Sequence, residues 1–177
     1  MFGSLGNNDY FCSVIIKMRE TYMISFKITM KKTFFISLLA MLPLAANAEA
    51  FKVGALWYEL DVDPTVVKVV ASEDEPYSGA ITIESSIEYQ GINYTVVSIG
   101  ESAFEGCDAL TSITLPAGIE RIEKGAFFGC CWLTTMLIPN SVKEIGLGAF
   151  SECTRLNYIT IPNSVTSIDQ YAFDKYL

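Results

Sequence analysis

Cys107, Cys130 and Cys153 stand at a fixed interval of 23 residues, and three thiols in such a series could hold a soft metal ion or carry redox chemistry. Neither chemistry finds its partners. The chain contains no histidine, which removes the commonest general base and the commonest zinc ligand together. No group in sight would orient the thiols as ligands. The acidic run Glu73-Asp74-Glu75 lacks the alternating oxygen-ligand spacing of a calcium loop and reads as a solvated turn. Asn93-Tyr94-Thr95 fits a glycosylation acceptor, given a eukaryotic secretory pathway. No catalytic, cofactor or metal residue is assigned. The disulfide state of Cys107, Cys130, Cys131 and Cys153 stays open, because a bridge needs suitable Cα separations and Cβ directions.

The thiols belong to a larger unit. The same 23-residue step relates Ile99, Ile122, Ile145 and Ile168, the Ala-Phe pairs at 103–104, 126–127, 149–150 and 172–173, and Pro116, Pro139 and Pro162. Three full copies cover 99–121, 122–144 and 145–167, and a fourth begins at Ile168. Self-similarity over roughly 20–29 residues is the signature of leucine-rich solenoids. In "LTSITLP", Ile113 and Leu115 alternate with Ser112 and Thr114, the pattern of a short strand with one buried face. Proline ends that strand without removing a needed ladder donor. Ala103, Phe104, Cys107 and Leu110 recur at roughly helical spacing, which predicts one or two short helical turns. The cysteine column therefore lies on the inward apolar face, where free cysteine packs as a small hydrophobe.

Each unit directs about eight mostly apolar side chains inward, each large one contributing about 1.5–3 kcal/mol when buried. The core of one unit is completed by the next coil. Stacked coils bring Glu120 beside Lys143, Arg121 beside Glu144 and Glu101 beside Lys124; these either favour the correct register by a few tenths of a kcal/mol each or are simply solvated charged faces.

These units resemble the BspA-like leucine-rich repeats of bacterial surface proteins, which read roughly "L-x-x-I-x-I-P-x-S-V-x-x-I-G-x-x-A-F-x-G-C". The resemblance covers residues 99–177, and "LNYITIPNSVTSI" is nearly a consensus. Gly118 replaces a serine, Glu152 a glycine and Tyr176 the fourth cysteine. The resemblance implies adhesion or host-protein binding at a bacterial surface and brings no catalytic residues.

Ahead of the repeats, "MKKTFFISLLAMLPLAANAEA" opens at Met30 with two lysines and closes on Ala46-Asn47-Ala48, a small-x-small signal-peptidase pattern. Residues 30–48 are read as a signal peptide cleaved after Ala48, and residues 1–29 as an upstream overextension. The apolar run from Thr33 to Ala46 is short of the ~20 residues of a membrane span. Residues 49–177 hold eighteen Asp and Glu against seven Lys and Arg, a net charge of −11. So acidic a surface argues against nucleic acid and against unaided docking to anionic lipid.

Residues 49–98 read as strands joined by turns, forming a β-rich N-terminal cap. Inside it "ITIESSI" at 81–87 aligns with "ITLPAGI" at 113–119, a half-repeat followed by an inserted hairpin turning at Gly91-Ile92. The expected architecture is an α+β repeat solenoid: a right-handed coil of 23-residue units with short parallel strands and short helical turns, preceded by that cap. At the other end "AFDKYL" is read as a truncation that leaves the last coil open, which would permit end-to-end self-association.

Two surfaces are candidates for a protein partner. The outward strand positions Ser112, Thr114, Thr135, Leu137, Tyr158 and Thr160 form a hydroxyl-rich ladder on the inner curve, a common binding surface in solenoids. It offers no carboxylate, imidazole or thiol for proton transfer. The alternative is a convex patch of Phe128, Cys131 and Trp132, at i, i+3 and i+4 and thus on one helical face. The expected function is a non-catalytic, secreted or cell-surface module that binds an extracellular or host protein. Two rivals are a structural fragment of a longer surface protein, told apart by further 23-residue units downstream, and an enzyme, told apart by a hydrolase screen.

Overall fold

The computed structural model describes residues 49–61 and 63–174. The expected signal peptide at 30–48, residues 1–29 before it and Tyr176 lie outside the described residues. The strands are β1 (Phe51–Val53), β2 (Leu56–Leu60), β3 (Val66–Val70), β4 (Gly79–Thr82), β5 (Ser86–Tyr89), β6 (Ile92–Ile99), β7 (Leu110–Thr114), β8 (Arg121–Ile122), β9 (Thr135–Leu137), β10 (Glu144–Ile145), β11 (Tyr158–Thr160) and β12 (Ser167–Ile168). Among the described residues no helix is long and apolar enough to cross a membrane.

Each coil has two strand sides. On one, β6, β8, β10 and β12 stack in parallel, with Ile99 beside Ile122, Ile122 beside Ile145 and Ile145 beside Ile168. This sheet continues through β3, β2 and β1 at the N-terminal end, and β5 adds to β6 as an antiparallel hairpin. The hairpin turns at Gln90-Gly91 (φ 52° and 78°), one residue ahead of the expected position. On the other side β4 pairs with β7, and β9 with β11, all parallel. Ile81 lies beside Ile113 and Thr82 beside Thr114, the register in which the two sequences align. Buried Ile113 between exposed Ser112 and Thr114 shows why the strand forms here: one face fills the coil and the other meets solvent.

Among the described residues no helix forms where the helical turns are expected. Among the described residues the Ala-Phe segments are turns rather than helix, because their amides alternate between two kinds of acceptor. Ala126, Phe128 and Cys130 donate back to the carbonyls of Glu123, Gly125 and Phe127 within the coil. Gly125, Phe127 and Gly129 donate sideways to Leu147, Ala149 and Ser151 of the next coil. Helical spacing of apolar residues is thereby kept while half of the backbone bonds go to a neighbour. The alternation places left-handed residues at two recurring positions, one filled by Ser102, Gly125, Gly148 and Tyr171 (φ 54°, 60°, 61° and 59°) and the other by Gly106, Gly129 and Glu152 (φ 65°, 71° and 60°). A non-glycine residue there costs about 1–2 kcal/mol, part of which glycine gives back in chain entropy. Glu152→Gly is therefore expected to raise stability by about 0.5–1 kcal/mol, read as a higher midpoint in urea unfolding.

The coils are filled by registered columns. Phe104, Phe127, Phe150 and Phe173 stack with nearly parallel rings, at centroid separations of 5.1, 5.2 and 5.4 Å. Tyr77 closes the N-terminal end of that column, 4.8 Å from Phe104. Its hydroxyl donates to the Val70 carbonyl (2.8 Å) and accepts from the Trp57 amide (3.0 Å). Burial pushes the Tyr77 hydroxyl up to about 12, so it remains a neutral donor at ordinary pH.

Of the three charge pairs expected along the stack, Lys124–Glu101 forms at 2.7 Å. Arg121 lies beside Glu144 in the strand register, yet its guanidinium turns to Asp61 of the N-terminal region. Ser98 donates to the same carboxylate at 3.1 Å. Lys143 and Glu144 form no ion pair among the described residues. The Asp61 carboxylate is nearly enclosed (9 % exposed), and a charge in that setting needs a close partner. Arg121→Met is expected to cost about 1–2 kcal/mol, because Arg121 itself is part-exposed and solvent screens the pair. Lys143→Met, measured alongside in the same denaturant melts, is expected to cost almost nothing.

Candidate binding face

The exposed sides of β4, β7, β9 and β11 form one surface two columns wide. Ala80, Ser112, Thr135 and Tyr158 make the first column, and Thr82, Thr114, Leu137 and Thr160 the second. The alternation that buries Ile81, Ile113, Met136 and Ile159 against the core dictates which residues face out. All six residues proposed from the sequence are exposed. Leu137 is 74 % and Tyr158 66 % exposed, and they occupy diagonal positions on adjoining strands, within reach of one another's side chains. Ala80 and Thr82 were not among the sequence candidates. The alignment of "ITIESSI" with "ITLPAGI" contains the signal that would have found them.

The second surface is arranged differently. Phe128 is 38 % and Trp132 50 % exposed, but they lie in turns, so the shared helical face expected for them does not exist. Cys131 is half-buried, with its thiol directed at the Glu152 carbonyl, 3.8 Å away. The Arg155 guanidinium carbon lies 3.7 Å from the centre of the Trp132 ring, a cation–π stack from the next coil. That contact already occupies one face of the indole.

The cysteine column is free thiol, with Cys107, Cys130 and Cys153 buried. The Cys130 thiol donates to the Phe104 carbonyl (3.1 Å), and the Cys153 thiol to the Phe127 carbonyl (3.0 Å). Burial drives the Cys130 thiol well above the ordinary thiol range and raises Cys107 as well. A thiol kept protonated is a poor nucleophile and a poor metal ligand. Its work here is to satisfy a carbonyl of the preceding coil while filling the core.

The family model of the BspA type leucine rich repeat region matches residues 82–176 in six copies. Solved structures share the fold. A leucine-rich repeat protein from Bacteroides ovatus is 33 % identical with a TM-score of 0.66, over 70 % of this chain and 32 % of that one. One from Bacteroides capillosus is 26 % identical with a TM-score of 0.63, over 71 % of this chain and 91 % of that one. The T. pallidum leucine rich repeat protein is 25 % identical with a TM-score of 0.54, over 71 % of this chain and 67 % of that one. This chain thus spans about a third of the length of the Bacteroides ovatus protein. No curated protein matches it.

Proposed function

On the premise that the chain belongs to the BspA-type leucine-rich repeat family, we propose that it is an exported, non-catalytic module that binds an extracellular or host protein through the outward face of β4, β7, β9 and β11. The observation that carries this reading is the pair Leu137 and Tyr158, 74 % and 66 % exposed on an ordered strand face. Large side chains held outward on rigid strands offer contact area at small entropic cost, and tyrosine adds a polar tip. The surrounding serine and threonine hydroxyls supply adaptable hydrogen bonds. The leader pattern at 30–48 supports export to the cell surface or medium.

The face also suits adhesion better than chemistry, because it presents no carboxylate, imidazole or thiol. The test is to immobilise folded 49–177 and pass purified extracellular-matrix and plasma proteins over it singly. Saturable binding of at least one is expected. Failure of every protein to bind a correctly folded sample would overturn the reading in favour of a purely structural repeat.

A further inference from the structure

The strand face is electrically blank in a protein that is strongly acidic. Residues 78–83, 110–119, 133–142 and 156–165, which make up this side of four coils and the corner after it, contain no Asp, Glu, Lys or Arg. Over residues 49–177 about one residue in five is charged. The strands of the other sheet provide an internal contrast: Lys52, Glu59, Lys68, Glu88, Arg121 and Glu144 all lie on them. Strand structure by itself therefore does not exclude charge here. The charges nearest the blank face in sequence are Glu84, Asp108, Glu120, Lys143 and Arg155 at its margins, and Arg155 is stacked on Trp132.

A face of this kind sets a condition on what can sit on it. A charged group of the partner pressed against it would lose its water and gain no opposite charge, at a cost of several kcal/mol. An uncharged surface of apolar and hydrogen-bonding groups meets no such penalty. We infer, resting on the binding reading above, that this face engages an electrically neutral patch of its protein partner, so that binding is nearly independent of ionic strength. The acidic remainder of the molecule then acts as a repellent rim against other anionic surfaces.

The experiment takes the proteins captured from the matrix and plasma panel and measures affinity at about 50 and about 500 mM NaCl, between which the screening length falls from about 14 to about 4 Å. Affinity is expected to change less than about threefold, against the far larger loss of a charge-steered complex. Thr114→Lys and Thr160→Glu, both at exposed positions and checked by thermal melts, are each expected to weaken binding at least about tenfold. A charged partner patch would instead penalise one sign and favour the other. Steep loss of affinity with salt, or opposite responses to the two variants, overturns the inference while leaving binding itself intact. Capture that disappears when the captured protein is enzymatically deglycosylated overturns it in favour of a sugar contact. Capture of nothing at either salt concentration sinks the binding reading and this inference together.

Discussion

Phe127→Ala is expected to lower the free energy of unfolding by about 3–5 kcal/mol, whereas Phe128→Ser, one residue further on, should change it by no more than about 0.5 kcal/mol. The contrast follows from the turn geometry. Phe127 is fully buried, with Phe104 and Phe150 stacked at 5.1 and 5.2 Å on either side, and Phe128 is 38 % exposed. Removing Phe127 leaves a cavity in the middle of the aromatic column, where the sideways backbone bonds of Gly125, Phe127 and Gly129 fix the coil spacing and oppose collapse. A repeat stack is held by nearest-neighbour interfaces, so both interfaces of that coil weaken together. Urea unfolding of both variants checks the expectation. Equal losses would mean that the inward register of the turns is misassigned.

The architecture was legible in the sequence because every coil repeats its core. Ile99, Phe104, Cys107, Leu110, Ile113 and Ile119 and their equivalents keep one 23-residue register, and any side chain that recurs so strictly must fill the same space in each coil. The outward strand residues followed from alternation alone. The turn was misread for a physical reason. Ala103, Phe104, Cys107 and Leu110 have helical spacing, but half of the amides around them bond to an adjoining coil, and side-chain periodicity carries no record of where a backbone amide donates. The left-handed positions show in the sequence only as two incomplete glycine columns, with Glu152 the exception in one and Ser102 and Tyr171 the exceptions in the other.

Arg121 was assigned to the wrong acid because the repeat register pairs it with Glu144, whereas Asp61, 60 residues earlier, belongs to no repeat. The two-residue strands β8, β10 and β12 are too short to show any alternation. The absence of charge on the strand face is legible directly in residues 110–119, 133–142 and 156–165.

The choice between the two candidate surfaces turns on two aromatic residues. Tyr158 stands on β11 at 66 % exposure, ready to be covered by a partner. Trp132 has the Arg155 guanidinium already stacked on it at 3.7 Å, so a partner settling there would have to displace that contact or desolvate the cation. Tyrosines are frequent anchors in protein interfaces, typically worth about 2 kcal/mol or more on truncation. The decisive measurement is therefore a calorimetric titration of a captured partner into the wild-type chain, Tyr158→Ala and Trp132→Ala, each shown to melt like the wild type. Tyr158→Ala is expected to weaken binding about 30-fold, equivalent to about 2 kcal/mol, and Trp132→Ala by less than about twofold. A loss carried by Trp132→Ala, or affinity unchanged in both variants, would contradict the assignment of binding to the strand face.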